Sequence, residues 1–271
     1  MGRGVGLPVE DKFKERLGGI VRGRRTPTRR RKVSTPATLE ELPGAVRTEG
    51  LLVVERSVRD LSSDEDLAAL LEKVASASAA CEGSEDVDEE LGELLRAPER
   101  ALFFDTETTG LGGNMVFMLG TMRVGQGDIR LTQVFARDYR EERELLAAWL
   151  RMLSESGMLV SFNGKSFDAP VLRDRLALHG FPRPEEPPHV DLLHHSRRRW
   201  RGEFPDCRLQ TLEWKVCGRR RSGDIPGEEI PGVYHHFVRT GQTADILTVF
   251  HHNALDLITL ADIAVELSKP R

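Results

Sequence analysis

Apolar and polar positions change rhythm near residue 100. Beyond it, short apolar runs give way to longer segments whose apolar residues recur at helical spacing. The runs "ALFFDTET" (101–108), "MVFMLGTMRV" (115–124), "IRLTQVFARD" (129–138) and "GMLVSFN" (157–163) predict strands. Helical spacing predicts a helix over 141–156, and a second helix is expected over 167–180, closed by Gly180, a residue that suits a helix end. A short strand leading into a helix is expected over 189–200, a helix with a terminal glycine over 209–218, and a long helix with a break near His251 over 243–268. Strands first, then helix and strand in alternation, imply a mixed α/β sheet covered by helices.

The N-terminal third has a different texture. Residues 1–32 hold eleven Lys/Arg against three acids, so residues 1–37 read as a basic, disordered tail. In the extension that follows (38–97), two β-like runs around Gly50 predict a hairpin within 42–58. Ser62 and Glu65 have capping-box spacing at the start of a helix over 61–80, an acidic linker follows at 81–90, and "LGELLRAPER" reads as a short helix broken at Pro98. The main domain is expected over 98–271.

Composition narrows the class. A chain of 271 residues with 39% hydrophobic and 30% charged positions suits a globular protein with a flexible segment. A net charge of −4 excludes a globally basic nucleic-acid binder, so any such contact must come from local patches. Cys81, Cys207 and Cys217 form no C-x-x-C pair, which speaks against a disulfide framework or a zinc knuckle. No signal-peptide core or membrane-length run is evident, and a cytoplasmic location is the default expectation.

The chemistry gathers in three places. "ALFFDTETTG" (101–110) ends a core strand on two acids. Strand side chains alternate, so Asp105 and Glu107 project together. Two carboxylates so close repel, and a divalent cation such as Mg²⁺, which prefers oxygen ligands, is the usual compensation. A strand end running into solvent would also carry acids, and this stretch alone leaves both readings open. "SFNGKSFDAPVL" (161–172) delivers Asn163 from a strand, turns at Gly164 and opens a helix at Asp168, which could also be a helix cap. "HHNALDLITL" (251–260) sets Asp256 four residues after His252 and five after His251, a pattern that a polar helix face would share. Together, four carboxylates are what two divalent ions need to align a phosphodiester with an attacking water, and a neighbouring histidine can take that water's proton.

"FFDTETTG", "NGKSFD" and "HHNALD" resemble the three motifs of the DEDD 3′→5′ exonuclease superfamily, which has the ribonuclease-H-like fold. The intervening segment 190–241, with its D-L-L, C-x-L-x-T-L-E and D-I-P-G runs, is similar to the bacterial YprB-type ribonuclease-H-like family. The resemblance covers roughly 98–268 and implies that Asp105, Glu107, Asp168 and Asp256 bind two Mg²⁺ or Mn²⁺ ions. It places Thr108 and Asn163 beside the substrate and Asp191 outside the metal motifs, in a supporting role. Asn114 and Met115 depart from the family pattern after the first motif. One branch of the superfamily has a histidine at the position of His251, another a tyrosine at that of His252. Within a helix, His252 lies about 40° from Asp256 and His251 about 140° away, whereas a helix starting later would let His251 swing in. The H-N pairing favours His252 as the base, with His251 as the alternative.

Residues 197–221 carry nine Lys/Arg against three acids, with Trp200 and Trp214 interleaved. Cationic side chains neutralise phosphates, and an aromatic ring stacks on a base of a single strand. Trp200, Arg219, Arg220 and Arg221 are the expected substrate contacts, and Trp214, in an apolar helical pattern, reads as core. The function expected is 3′→5′ exonuclease action on single-stranded DNA or RNA, with no membrane partner. A non-catalytic nucleic-acid-binding module and an endonuclease of the ribonuclease-H-like class are the alternatives. Four clustered acids argue against the first. The D-x-E spacing and the histidine near the last acid argue against the second.

Overall fold

The computed structural model describes residues 38–48, 50–57, 89–110, 114–125, 128–221 and 224–269. The basic tail, the capped helix expected over 61–80 and most of the acidic linker lie outside the described residues. β1 (Ala45–Thr48) and β2 (Leu51–Ser57) pair as an antiparallel hairpin around Gly50. β2 pairs antiparallel with β5 (Asp128–Phe135), β5 with β4 (Val116–Gly125), and β4 with β3 (Ala101–Thr108). Beyond β3 the pairing turns parallel, first to β6 (Met158–Ser161) and then to β7 (His189–Asp191). The result is one mixed sheet in the order β1-β2-β5-β4-β3-β6-β7. The hairpin of the N-terminal extension therefore belongs to the same sheet as β3.

The helices among the described residues are α1 (Glu89–Arg96), α2 (Glu142–Ser154), α3 (Asp168–Leu178), α4 (Leu192–Trp200), α5 (Leu209–Lys215), α6 (Ile230–Thr240) and α7 (Ile246–Ser268). They cover both faces of the sheet. Leu102 and Phe104 of β3 pack with α2, α3, α6 and the first turns of α7, and Phe104 lies 5.1 Å from the Trp149 ring. Ala101 and Phe103 face α1, α4 and the rest of α7. A strand covered on both sides must be apolar on both, which is why β3 begins as an unbroken hydrophobic run.

One expectation needs correction. α7 runs unbroken past His251. Nearly all of its residues are buried, so its apolar positions form no stripe and the periodicity that marks a continuous surface helix is missing. The segment "IPGVYHHFVRT", which the apolar pattern leaves unassigned, forms α6. Proline is tolerated in a first helical turn, where its missing N–H would have no partner. No described helix is long and apolar enough to cross a membrane.

Candidate active site

β3 outruns its parallel neighbour. Pairing with β6 ends at Phe103 and Val160, whereas β3 continues to Thr108. Past that point Asp168 takes the place of a strand partner. The Thr106 amide and Oγ1 donate to its Oδ1 at 3.2 and 2.5 Å. Asp168 opens α3 and is delivered by the turn after β6. In that turn Asn163 has a φ of 66°, a left-handed conformation that asparagine tolerates. Gly164 passes so near the strand end that a Cβ would lie 2.3 Å from Ser161 Oγ. Asp191 braces the turn from below. Its Oδ1 accepts from the amides of Asn163 (2.7 Å) and Leu193 (3.1 Å), and its Oδ2 from that of Lys165 (3.1 Å).

On the other side, Asp105, Gly120 and Gln133 are cross-strand partners and form one row beneath α7. Gly120 leaves a gap that Asn253 fills, since a Cβ there would sit 2.0 Å from Asn253 Oδ1. Asn253 Nδ2 donates to Asp105 Oδ2 at 2.8 Å, and its Oδ1 accepts from Gln133 Nε2 at 3.0 Å. Gln133 Nε2 also donates to the Phe250 carbonyl at 2.8 Å, so the orientation of both amides is determined.

One turn along α7, His252 stands beside Asp256, its Nε2 3.4 Å from Asp256 Oδ2. Its Nδ1 lies 3.0 Å from Asp224 Oδ2. His251, one residue earlier, is buried. Arg221 completes the cluster. Its guanidinium reaches Glu213 at 2.5 Å and Asp224 at 3.0 Å, and it also binds Asp256. Asp224, Glu213, Asn253 and Gln133 were not among the sequence-derived site residues. The D-I-P-G run begins at Asp224.

The acids divide into two groups by charge. Burial, then the charges of Asp256, Glu107 and Asp168, push Asp105 well above the usual carboxylate range. Burial raises Glu107 to about 8; His252 opposes this, while Asp256, Asp168 and Asp224 add to it. Burial raises Asp168 to about 6 against the hydrogen bonds from Thr106. Asp256 and Asp224 go the other way. Burial favours their neutral forms, but Arg221 and His252 outweigh it, and Asp224 falls to about 2. Burial likewise works against a charged His252, yet hydrogen bonds to Asp224 and Asp256, with the charges of Asp256 and Glu107, raise the imidazolium to about 11.

The expected substrate contacts are distributed differently from the sequence reading. Trp200 is a core residue, 7% exposed, because Leu192, Ser196 and Trp200 recur every four residues along the inner face of α4. Trp214, expected in the core, is 42% exposed at the end of α5. The arginine triplet does not form one surface either. Buried Glu213 draws in both Arg219 (3.5 Å) and Arg221 (2.5 Å), and Arg219 also binds Asp262 and Thr259 Oγ1. Arg220 alone stays exposed. Thr108 is half-buried and donates to the Gly110 carbonyl at 2.8 Å, whereas Asn163 is exposed on its turn.

A divalent cation suits these donors chemically. Asp105, Glu107 and Asp168 raise one another's pKa values or are raised by burial, a strain that a hard cation relieves. Among the described residues no three His, Cys, Asp or Glu side chains draw together into a finished cage. Asp256 would have to release Arg221 to join the other three.

This sheet, with its acidic strand end, belongs to a known class. Residues 102–268 match the RNase_H_2 model of the RNase_H superfamily, and the chain belongs to that family. Over 172 residues it is 36% identical to "Uncharacterized protein YprB" of Bacillus subtilis (strain 168). That match takes in 62% of this chain and 41% of the relative, so the chain spans less than half of that protein's length. Among solved structures, the family B DNA polymerase from the hyperthermophilic archaeon Pyrobaculum calidifontis is similar with a TM-score of 0.48 and 19% identity, over 60% of this chain and 24% of the polymerase.

Proposed function

We propose that the protein is a divalent-metal-dependent nuclease that hydrolyses phosphodiesters of single-stranded nucleic acid from the 3′ end. The observation that carries this reading is the cluster of Asp105, Glu107, Asp168, Asp256 and His252 around the end of β3. There, burial and mutual charge drive three of the acids toward protonation. Such a cluster works against folding, and groups perturbed in this way gather at functional sites. Asp105, Glu107 and Asp168 would hold one Mg²⁺ or Mn²⁺ ion, and Asp256, once free of Arg221, would help to hold a second. Ions bound there supply Lewis acidity toward the phosphodiester and lower the pKa of water.

The chain's own groups position this chemistry and move the proton. Asn253, donating to one oxygen of Asp105, fixes that carboxylate's rotation. Thr106 does the same for Asp168. Asp224 on Nδ1 holds the His252 ring and leaves Nε2, on the Asp256 side, as the atom that accepts a proton from the attacking water. Hydrogen bonds to Asp224 and Asp256 favour the imidazolium form of His252. A cation that drew off the charge of Asp256 and Glu107 would weaken that preference and move His252 toward a base.

The test incubates 5′-labelled single- and double-stranded DNA and RNA oligonucleotides with Mg²⁺, Mn²⁺ or EDTA. A ladder shortening from the 3′ end of single strands, absent in EDTA, is expected. Cleavage of circular single strands would make the enzyme an endonuclease, and metal-independent cleavage would remove this mechanism.

A further inference from the structure

We propose that Trp214 and the cavity beside it form a stacking subsite for a base of single-stranded nucleic acid. The inference extends the nuclease reading, but binding can be measured without cleavage. A single exposed aromatic ring is ordinary on a protein surface. The surroundings of Trp214 are not. Lys215 Nζ lies 3.7 Å and Arg220 Cζ 3.9 Å from the centre of its ring. Both cations are exposed, and neither has a carboxylate partner among the described residues. The ring opens on a cavity of about 500 Å³, within the size range of small-ligand sites. Gln210, Arg220 and Pro226 line it with Trp214, and it reaches Arg221 and Asp224. Those last two hold Asp256 and His252. A strand whose end lies in the candidate active site would therefore cross this cavity one side chain away.

The three kinds of group match the three parts of a nucleotide. The indole face takes a base of any identity, because every base has a π-face. The two cations, which now rest on the ring, are long enough to turn to the flanking phosphates when a base replaces them. Gln210 offers an amide to a base edge or a sugar hydroxyl. Trp200, by contrast, is closed to a ligand in the core.

The test uses the full chain in EDTA, titrated with short oligothymidylate and oligouridylate while tryptophan emission is followed. Trp149 and Trp200 are 3% and 7% exposed, so a base on Trp214 quenches the accessible fluorophore. We expect saturable quenching in wild type. Trp214→Phe should lose the quenching but keep most of the affinity. Trp214→Ala should bind about 5- to 150-fold more weakly, with its salt dependence unchanged. Arg220→Gln should instead flatten the slope of log K against log [salt] by about 0.7. Oligodeoxyuridylate compared with oligouridylate, which share a base, tells deoxyribose from ribose.

If Trp214→Ala binds as tightly as wild type, and iodide still quenches Trp214 in the wild-type complex, the subsite is wrong. Cleavage in Mg²⁺ by that same wild type would leave the nuclease reading standing. If Trp214→Ala loses binding while wild type cleaves nothing, the subsite stands and the nuclease reading falls.

Discussion

Replacing Arg221 with glutamine removes the one guanidinium that Glu213, Asp224 and Asp256 share. The side chains involved are 8%, 2%, 9% and 14% exposed, respectively, so water replaces little of the lost charge. Removing one partner of a buried ion pair costs about 3–5 kcal/mol, chiefly because the other charge stays buried. At about 2 °C per kcal/mol, the lower slope suited to a larger chain, this is a fall of roughly 6–10 °C in melting temperature. The assay is thermal unfolding by circular dichroism in EDTA at pH 8. Arg221→Lys should fall between the two, since an ammonium cannot span three carboxylates as a planar fork can. Acid should narrow the gap. Asp224, held near 2 in wild type, contributes stability that is present above its ordinary value and lost as pH falls toward 2. Mg²⁺ should raise the variant's melting temperature more than that of wild type, because Asp256 is then open to a cation. A glutamine variant that melts within about 2 °C of wild type in EDTA would refute the shared-cation account.

Asp105→Ala should abolish cleavage while leaving the fold intact and the metal-free protein no less stable, since it removes one of several repelling charges; full activity in this variant contradicts the proposed site. His252→Ala should lower kcat by ~10²–10⁴, with His251→Ala costing less, and the reverse ranking would reassign the base. Asp224→Asn should move the basic pKa of His252 down from about 11, seen as a shift of the imidazole resonances in an NMR pH titration. Glu107 and Asp168, raised to about 8 and 6, bind protons in the fold that the unfolded chain has already released. Their contribution is therefore most favourable below about 4.5 and is lost as pH rises through about 8, so denaturant melts in EDTA should show this loss and melts in Mg²⁺ should not.

Most of the strand and helix pattern could be read from the sequence because burial leaves a period. β3 to β6 stand out as apolar runs, α2 as an amphipathic segment, and α3 by the glycine that closes it. The spacing of Asp105 with Glu107, and of His252 with Asp256, was equally legible, since each pair lies within one element whose geometry is regular. The misreadings share a cause, in that they depend on what lies opposite. The same helical spacing that makes Trp214 look like core puts Trp200 there instead, because only the packing of α4 and α5 decides which face turns inward. Consecutive arginines look alike until buried Glu213 claims two of them. The line from Gln133 through Asn253 to Asp105 rests on strand register and on the docking of α7 over Gly120, and no local pattern encodes it.

The gap at Gly120 has a consequence for how variation at this protein would be interpreted. The residue bears no reactive group and touches no reacting atom in the proposed chemistry. Yet any side chain there would collide with Asn253 and loosen the amide that sets Asp105. In a saturation screen for activity, position 120 should reject all replacements as firmly as the acids do, and a ranking by intolerance alone would mistake it for a participant. Anyone transplanting the acidic cluster onto another sheet would have to carry this empty space along with the carboxylates.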